Sequence, residues 1–114
     1  MKIKQFEIWI TDLNPQIGTE PGKTRPVLVI QNNMLNDVPH TSTIICPITT
    51  QVFKKSEILR VNLPAGTANL KQESAILIDQ IRAIDNKRLV QKIAALPLEF
   101  QKKIKDNIKI VLDL

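Results

Sequence analysis

Apolar residues in this 114-residue chain fall into short runs divided by turn formers, which is the pattern of an all-β domain. "FEIWIT" (Phe6 to Thr11) predicts a first strand, closed by the turn "DLNP" (Asp12 to Pro15), where Asp and Asn-Pro favour chain reversal. A loop, "QIGTEPGKT", follows, and its glycines and proline exclude a regular element there. "RPVLVIQ" (Arg25 to Gln31) is the second strand. Its apolar residues are continuous rather than alternating, so both of its faces are expected to be buried, with Pro26 tolerable because it opens the strand.

After the polar connection "NNMLNDVPHT", the third strand is "STIICPIT" (Ser42 to Thr49), where Pro47 implies an edge or a bulge. "EILRVNLP" (Glu57 to Pro64), "SAILIDQI" (Ser74 to Ile81) and "VQKIAAL" (Val90 to Leu96) read as further strands. "IDNKRL" reads as a short helical turn capped by Asp85, whose carboxylate accepts free amide hydrogens. From Pro97 the period changes. Phe100, Ile104, Ile108 and Val111 recur at helical spacing with lysines between them, so the chain ends in an amphipathic helix with Pro97 at its first position. No repeat or linker divides the chain. The prediction is one domain, residues 1–114, mainly β: a small, strongly bent barrel with a C-terminal α-helix.

Composition changes this picture in three places. A hydrophobic content of 43% excludes intrinsic disorder. One cysteine, Cys46, and one histidine, His40, exclude an intrachain disulfide and, within one chain, a zinc site of the usual Cys/His kind. Sixteen Lys and Arg against 11 Asp and Glu leave a net charge of +5, which fits a polyanionic partner, nucleic acid first, or a basic but functionally neutral surface, and charge alone leaves both open. "MKIKQFEIWI" lacks the apolar core of a signal peptide, and no stretch reaches membrane-spanning length; a cytoplasmic location and no membrane partner are the expectation.

Familiar catalytic motifs are missing: there is no GxSxG, no GK[ST] phosphate loop and no metal-binding helix. His40 lies in a polar connection and reads as solvated, Cys46 as a small core residue, and Trp9 as core rather than a base-stacking ring. What remains is polar residues at strand ends: Arg25, Thr49, Thr50, and the pair Asp79–Gln80 inside an apolar strand. They either tie loops together or converge on a phosphate, and spacing leaves both open.

The ordered segments "EIWITDLNPQIGTEPGKTRPVLVIQN", "CPITT" and "SAILIDQIRAIDNKRL", with a helical tail, closely resemble the MazF/PemK family of toxin–antitoxin ribonucleases over nearly the whole chain. The resemblance implies a compact SH3-like barrel and a homodimer that binds single-stranded RNA in a groove spanning both subunits and cleaves it at short sequence motifs without metal. A cognate acidic antitoxin would occupy the same groove. By position, Arg25 matches the family's catalytic arginine, Thr49 its threonine, and Glu20 its acidic loop residue, the best available general base. Thr50, Asp79 and Gln80 fall at substrate-contacting positions, and Lys23 is set with them as a substrate-binding residue.

Two positions depart from the pattern. The usual glycine before "EIW" is Phe6, and an arginine that some members carry two residues before the aspartate is Leu77. Acid–base schemes built on that arginine do not transfer. Two alternatives stay open at this level: a gyrase-poisoning toxin of the same fold, which needs no Arg25, and a non-catalytic RNA-binding relative.

Overall fold

The structure is a computed structural model that describes residues 2–14, 18–19, 23–52 and 56–114. Seven strands form: β1 (Glu7–Asp12), β2 (Thr24–Val29), β3 (Ser42–Thr49), β4 (Arg60–Leu63), β5 (Ser74–Leu77), β6 (Arg82–Asp85) and β7 (Leu89–Ala95). A four-residue helix, α1 (Asn33–Asn36), lies between β2 and β3, and α2 (Leu98–Leu112) ends the chain. The strands run in the order β4-β5-β3-β2-β1-β7, with β6 paired to β3 off that path, and the described pairings are all antiparallel.

The mainly β fold with its terminal helix is the expected one, but the sheet does not close into a barrel: β4 and β7 end it. Bending comes from β1, whose register against β7 shifts between Ile8 and Trp9 and again between Ile10 and Thr11. It comes also from β3, which gives Ser42–Ile45 to β6 and Ile48–Thr49 to β5. Pro47 falls between those two ladders. A residue without an N–H sits where the ladder is already interrupted, in a central strand and not at an edge.

Two apolar clusters explain why β2 has no polar alternation. Leu28 joins Ile8, Cys46, Ile48 and Ile76 on one face, closed by Phe100, Ile104, Ile108 and Val111 of α2. Val27 and Val29 join Trp9, Leu13, Ile45, Ile84 and Leu89 on the other. Trp9 and Cys46 are therefore core residues, as read. Burial holds the Cys46 thiol up at about 12, with the nearby charge of Asp79 adding to the effect, so it stays protonated at neutral pH.

Three elements differ from expectation. The strand expected from Glu57 begins at Arg60, after a turn. The strand expected over Ser74–Ile81 stops at Leu77, and Ile78–Gln80 form a single 3₁₀ turn, held by the Ile78 N–H on the Leu59 carbonyl at 2.8 Å. Asp79 thereby reaches solvent and Gln80 is half-buried, so no polar pair interrupts a buried strand. The chain then returns as β6, which the pattern did not suggest. The Asp85 cap is as expected: its carboxylate accepts the Lys87 N–H at 2.8 Å at the start of the 3₁₀ turn Asn86–Arg88. Pro97 stands one position earlier than expected, as the residue before the helix. Among the described residues no helix is long and apolar enough to cross a membrane.

Candidate nucleic-acid interface

Strand register sets the site. Thr11 of β1 pairs with Arg25 of β2. Val27 pairs with Pro47 across β2 and β3, and the same register continued by two residues places Arg25 across from Thr49. Thr49 pairs with Ala75 of β5, which pairs in turn with Asn62 of β4. Residues at paired positions share a face, so one transverse row carries Thr11, Arg25, Thr49, Ala75 and Asn62. In the neighbouring row Leu77 pairs with Arg60.

At this end of the sheet opens a cleft of about 620 Å³. Lys23, Thr24 and Arg25 line it from the start of β2, Thr49, Thr50 and Gln51 from the end of β3, and Arg60, Lys71 and Leu77 from the far side. Four cations face it and, among the described residues lining it, no carboxylate.

Arg25 is half-buried, and burial lowers its pKa from the usual arginine value, although guanidinium stays charged throughout the physiological range. A cation with part of its water removed acts more strongly on an anion brought beside it. Its backbone is fixed by the fully buried Thr11, whose hydroxyl donates to the Arg25 carbonyl at 2.9 Å. Thr49 Oγ1 accepts the Gln51 N–H at 3.1 Å, which leaves the hydroxyl proton available to donate into the cleft. The Gln51 carbonyl accepts from Arg60 Nη1 at 3.3 Å, so the turn after Thr49 is held at both its amide and its carbonyl.

The first loop is anchored where it leaves β1. Asp12 Oδ1 accepts the Asn14 N–H at 3.0 Å, the Asx turn expected of "DLNP", and Arg88 Nη1 donates to the carbonyls of Asp12 and Asn14 at 3.1 and 2.8 Å. Where the loop rejoins at Lys23, the amide donates to Asn14 Oδ1 at 2.6 Å.

Of the residues singled out in the sequence, Lys23, Arg25, Thr49 and Thr50 thus come together. Asp79 and Gln80 do not line the cleft; they sit on the turn directly after Leu77, which does. Glu20, and the loop lysines Lys54 and Lys55, lie outside the described residues. His40 is half-buried and not fully solvated: Nδ1 lies 2.8 Å from the Val38 carbonyl, and Nε2 is buried with no partner among the described residues. It does not line the cleft. Sequence reasoning missed Arg60 and Lys71. Arg60 had a signal, since it alternates with Val61, Asn62 and Leu63 so that polar residues take one face and core residues the other; Lys71, in a polar loop, had none. Among the described residues no three His, Cys, Asp or Glu side chains are grouped to hold a metal ion.

Fold and site together define a small basic antiparallel-sheet protein with a cation-lined cleft at one end. Residues 4–112 match the family described as PemK-like, MazF-like toxin of type II toxin–antitoxin system, and the chain belongs to that family. It is 38% identical to Endoribonuclease EndoA of Bacillus subtilis (strain 168), over 100% of this chain and 97% of that one. Among solved structures, MazF of Deinococcus radiodurans superposes with a TM-score of 0.82 at 24% identity, covering 100% of this chain and 99% of its own. An endoribonuclease from a mycobacterial species, solved with its cognate antitoxin, shares the fold at a TM-score of 0.79 and 15% identity, over 98% and 96% of the two chains.

Proposed function

We propose that this chain is the toxin of a type II toxin–antitoxin system and acts as a sequence-specific, metal-independent endoribonuclease on single-stranded messenger RNA in the cytoplasm. The observation that carries the reading is the placement of Arg25 across the register from Thr49 in a cleft lined by further cations and, among the described residues, by no carboxylate. Its 38% identity to an endoribonuclease along its whole length supports the same conclusion.

In the reaction the ribose 2′-oxygen attacks the adjacent phosphorus, and the bond to the 5′-oxygen breaks. The products are a 2′,3′-cyclic phosphate and, after that oxygen takes up a proton, a 5′-hydroxyl end. Negative charge grows on the non-bridging oxygens. Arg25 presents a planar fork that matches two of them, and Thr49 donates its hydroxyl hydrogen to the same phosphate. Glu20 takes the proton from the 2′-OH. Thr50 and Lys23 at the cleft, and Gln80 and Asp79 on the turn beside it, contact the flanking nucleotides. The 2′-OH requirement makes RNA the substrate, since DNA lacks the nucleophile.

The active form is a homodimer whose two clefts contribute to one RNA groove, and an acidic antitoxin segment restrains it by occupying that groove. A relative of the same fold has been solved with its cognate antitoxin, which supports an antitoxin as partner.

The test is incubation of wild type and Arg25→Ala with a mixed-sequence RNA pool in EDTA, with the new ends sequenced. Discrete 5′-hydroxyl ends should appear with wild type and fall by about 10²–10³ in rate with Arg25→Ala. No cleavage by folded wild type across the pool would return the reading to a gyrase-type poison or an inactive RNA binder.

A further inference from the structure

We propose that Arg60 and Lys71 form a second phosphate subsite on the far wall of the cleft, which holds a backbone phosphate next to the scissile one on the bound RNA strand. The proposal rests on the reading that the cleft binds single-stranded RNA.

Position comes first. Arg60 lies on β4 and Arg25 on β2, with β5 and β3 between them, so their backbones are three strand spacings apart, roughly 14 Å along the sheet. Both nevertheless line the same cleft, and therefore face it from opposite walls. Lys71 joins the Arg60 wall from the segment that leads into β5. Charge comes next. Arg25 and Thr49 are enough to engage one phosphate, and a single anion gives no reason for two more cations on the other side of the cleft. A strand carrying a phosphate at each nucleotide does. Arg60 is also held in place: its Nη1 donates to the Gln51 carbonyl at 3.3 Å, which orients the side chain, and a planar guanidinium with five N–H donors serves several acceptors at once.

The wall differs in kind from the first. Arg60 and Lys71 do not touch the reacting atoms, so their contribution belongs to binding. Each cation withdrawn from a phosphate of a single strand lowers the slope of log affinity against log salt by about 0.7.

The probe is a labelled single-stranded RNA that carries the sequence mapped by the cleavage assay, with a 2′-deoxynucleotide at the scissile position to block reaction. Binding is titrated across salt concentrations for wild type, Arg60→Gln, Arg60→Lys, Lys71→Gln and Lys103→Gln, the last on the exposed face of α2 away from the cleft. Arg60→Gln is expected to weaken binding about five- to tenfold and Lys71→Gln about two- to fourfold, each with the salt slope reduced by about 0.7. Arg60→Lys keeps the wild-type slope, and Lys103→Gln changes neither affinity nor slope and leaves cleavage at saturating RNA at the wild-type rate. Unchanged affinity and slope in either cleft variant overturns the subsite. So does an equal effect from Lys103→Gln, which would reduce it to net charge. So does a fall in turnover alone at Arg60→Gln, which would make Arg60 a support of the Thr49 turn. Failure of wild type to bind any RNA is a different result, since it removes the ribonuclease reading itself.

Discussion

Phe6 occupies backbone that few side chains accept. Its φ of 66° is left-handed, and it stands where the family pattern has glycine. The turn is kept all the same: the Phe6 N–H donates to the Val29 carbonyl and its own carbonyl accepts from Leu96, both at 2.8 Å. The ring offsets the strain, being 6% exposed in the core against Ile8 and Ile104, with Lys105 Nζ 5.6 Å from its centroid. Phe6→Ala should therefore lower stability by about 3–5 kcal/mol in urea melts, because the burial goes and the strain stays. Phe6→Gly loses the same burial but relieves the backbone, and should be about 1 kcal/mol more stable than the alanine variant. An alanine variant at least as stable as the glycine variant would show that the left-handed residue costs nothing. The substitution was visible in the sequence, but its consequence was not, since only packing against Ile8 and α2 makes a large ring worth keeping there.

At the scale of elements, the tie between β1 and β7 has a pH dependence. Glu7 is buried, and burial by itself raises its pKa; the Lys92 ammonium 2.7 Å away, the Lys4 amide at 2.8 Å and the Trp9 indole N–H at 3.2 Å outweigh that and hold it below the ordinary value. A carboxylate depressed in the folded state stabilises the fold above its unfolded pKa, about 4.3, and that stability is lost as pH falls through the folded value. Lys92→Met removes the strongest partner, so the acid-unfolding midpoint should move to higher pH. Urea melts between pH 3 and 7, on the order of that window, would follow it, and an unmoved midpoint would mean the pair is idle. Most elements were legible in the sequence because their apolar period is local, as in β3 and α2. The break after Leu77 was not. Ile78 is as apolar as its neighbours, and a hydrogen bond to distant Leu59 decides that the strand turns there.

For the whole molecule, the homodimer proposed above is tested by its mass. Sedimentation equilibrium should give twice the 12.9 kDa of the chain. A monomer at all concentrations would confine RNA to one cleft and leave the groove spanning two subunits without a basis. Cys46 offers a check on the assembled fold: its protonated, enclosed thiol should resist a disulfide reagent until denaturant is added. Rapid labelling of the native protein would place it outside a packed core.

By itself the sequence determined a mainly β chain with a terminal amphipathic helix, a positive charge and a family likeness that named Arg25 and Thr49, because hydrophobic period, composition and short motifs are properties of neighbours along the chain. Only the tertiary structure decided that those two residues face one another, that Asp79 and Gln80 stand beside the cleft and not in it, and that Arg60 and Lys71 share it. Register between strands sets the first and brings Arg60 to the cleft, while the turn after Leu77 places Asp79 and Gln80; each depends on contacts between residues far apart in the chain, and a register shift of one position would turn every side chain of a strand to the other face.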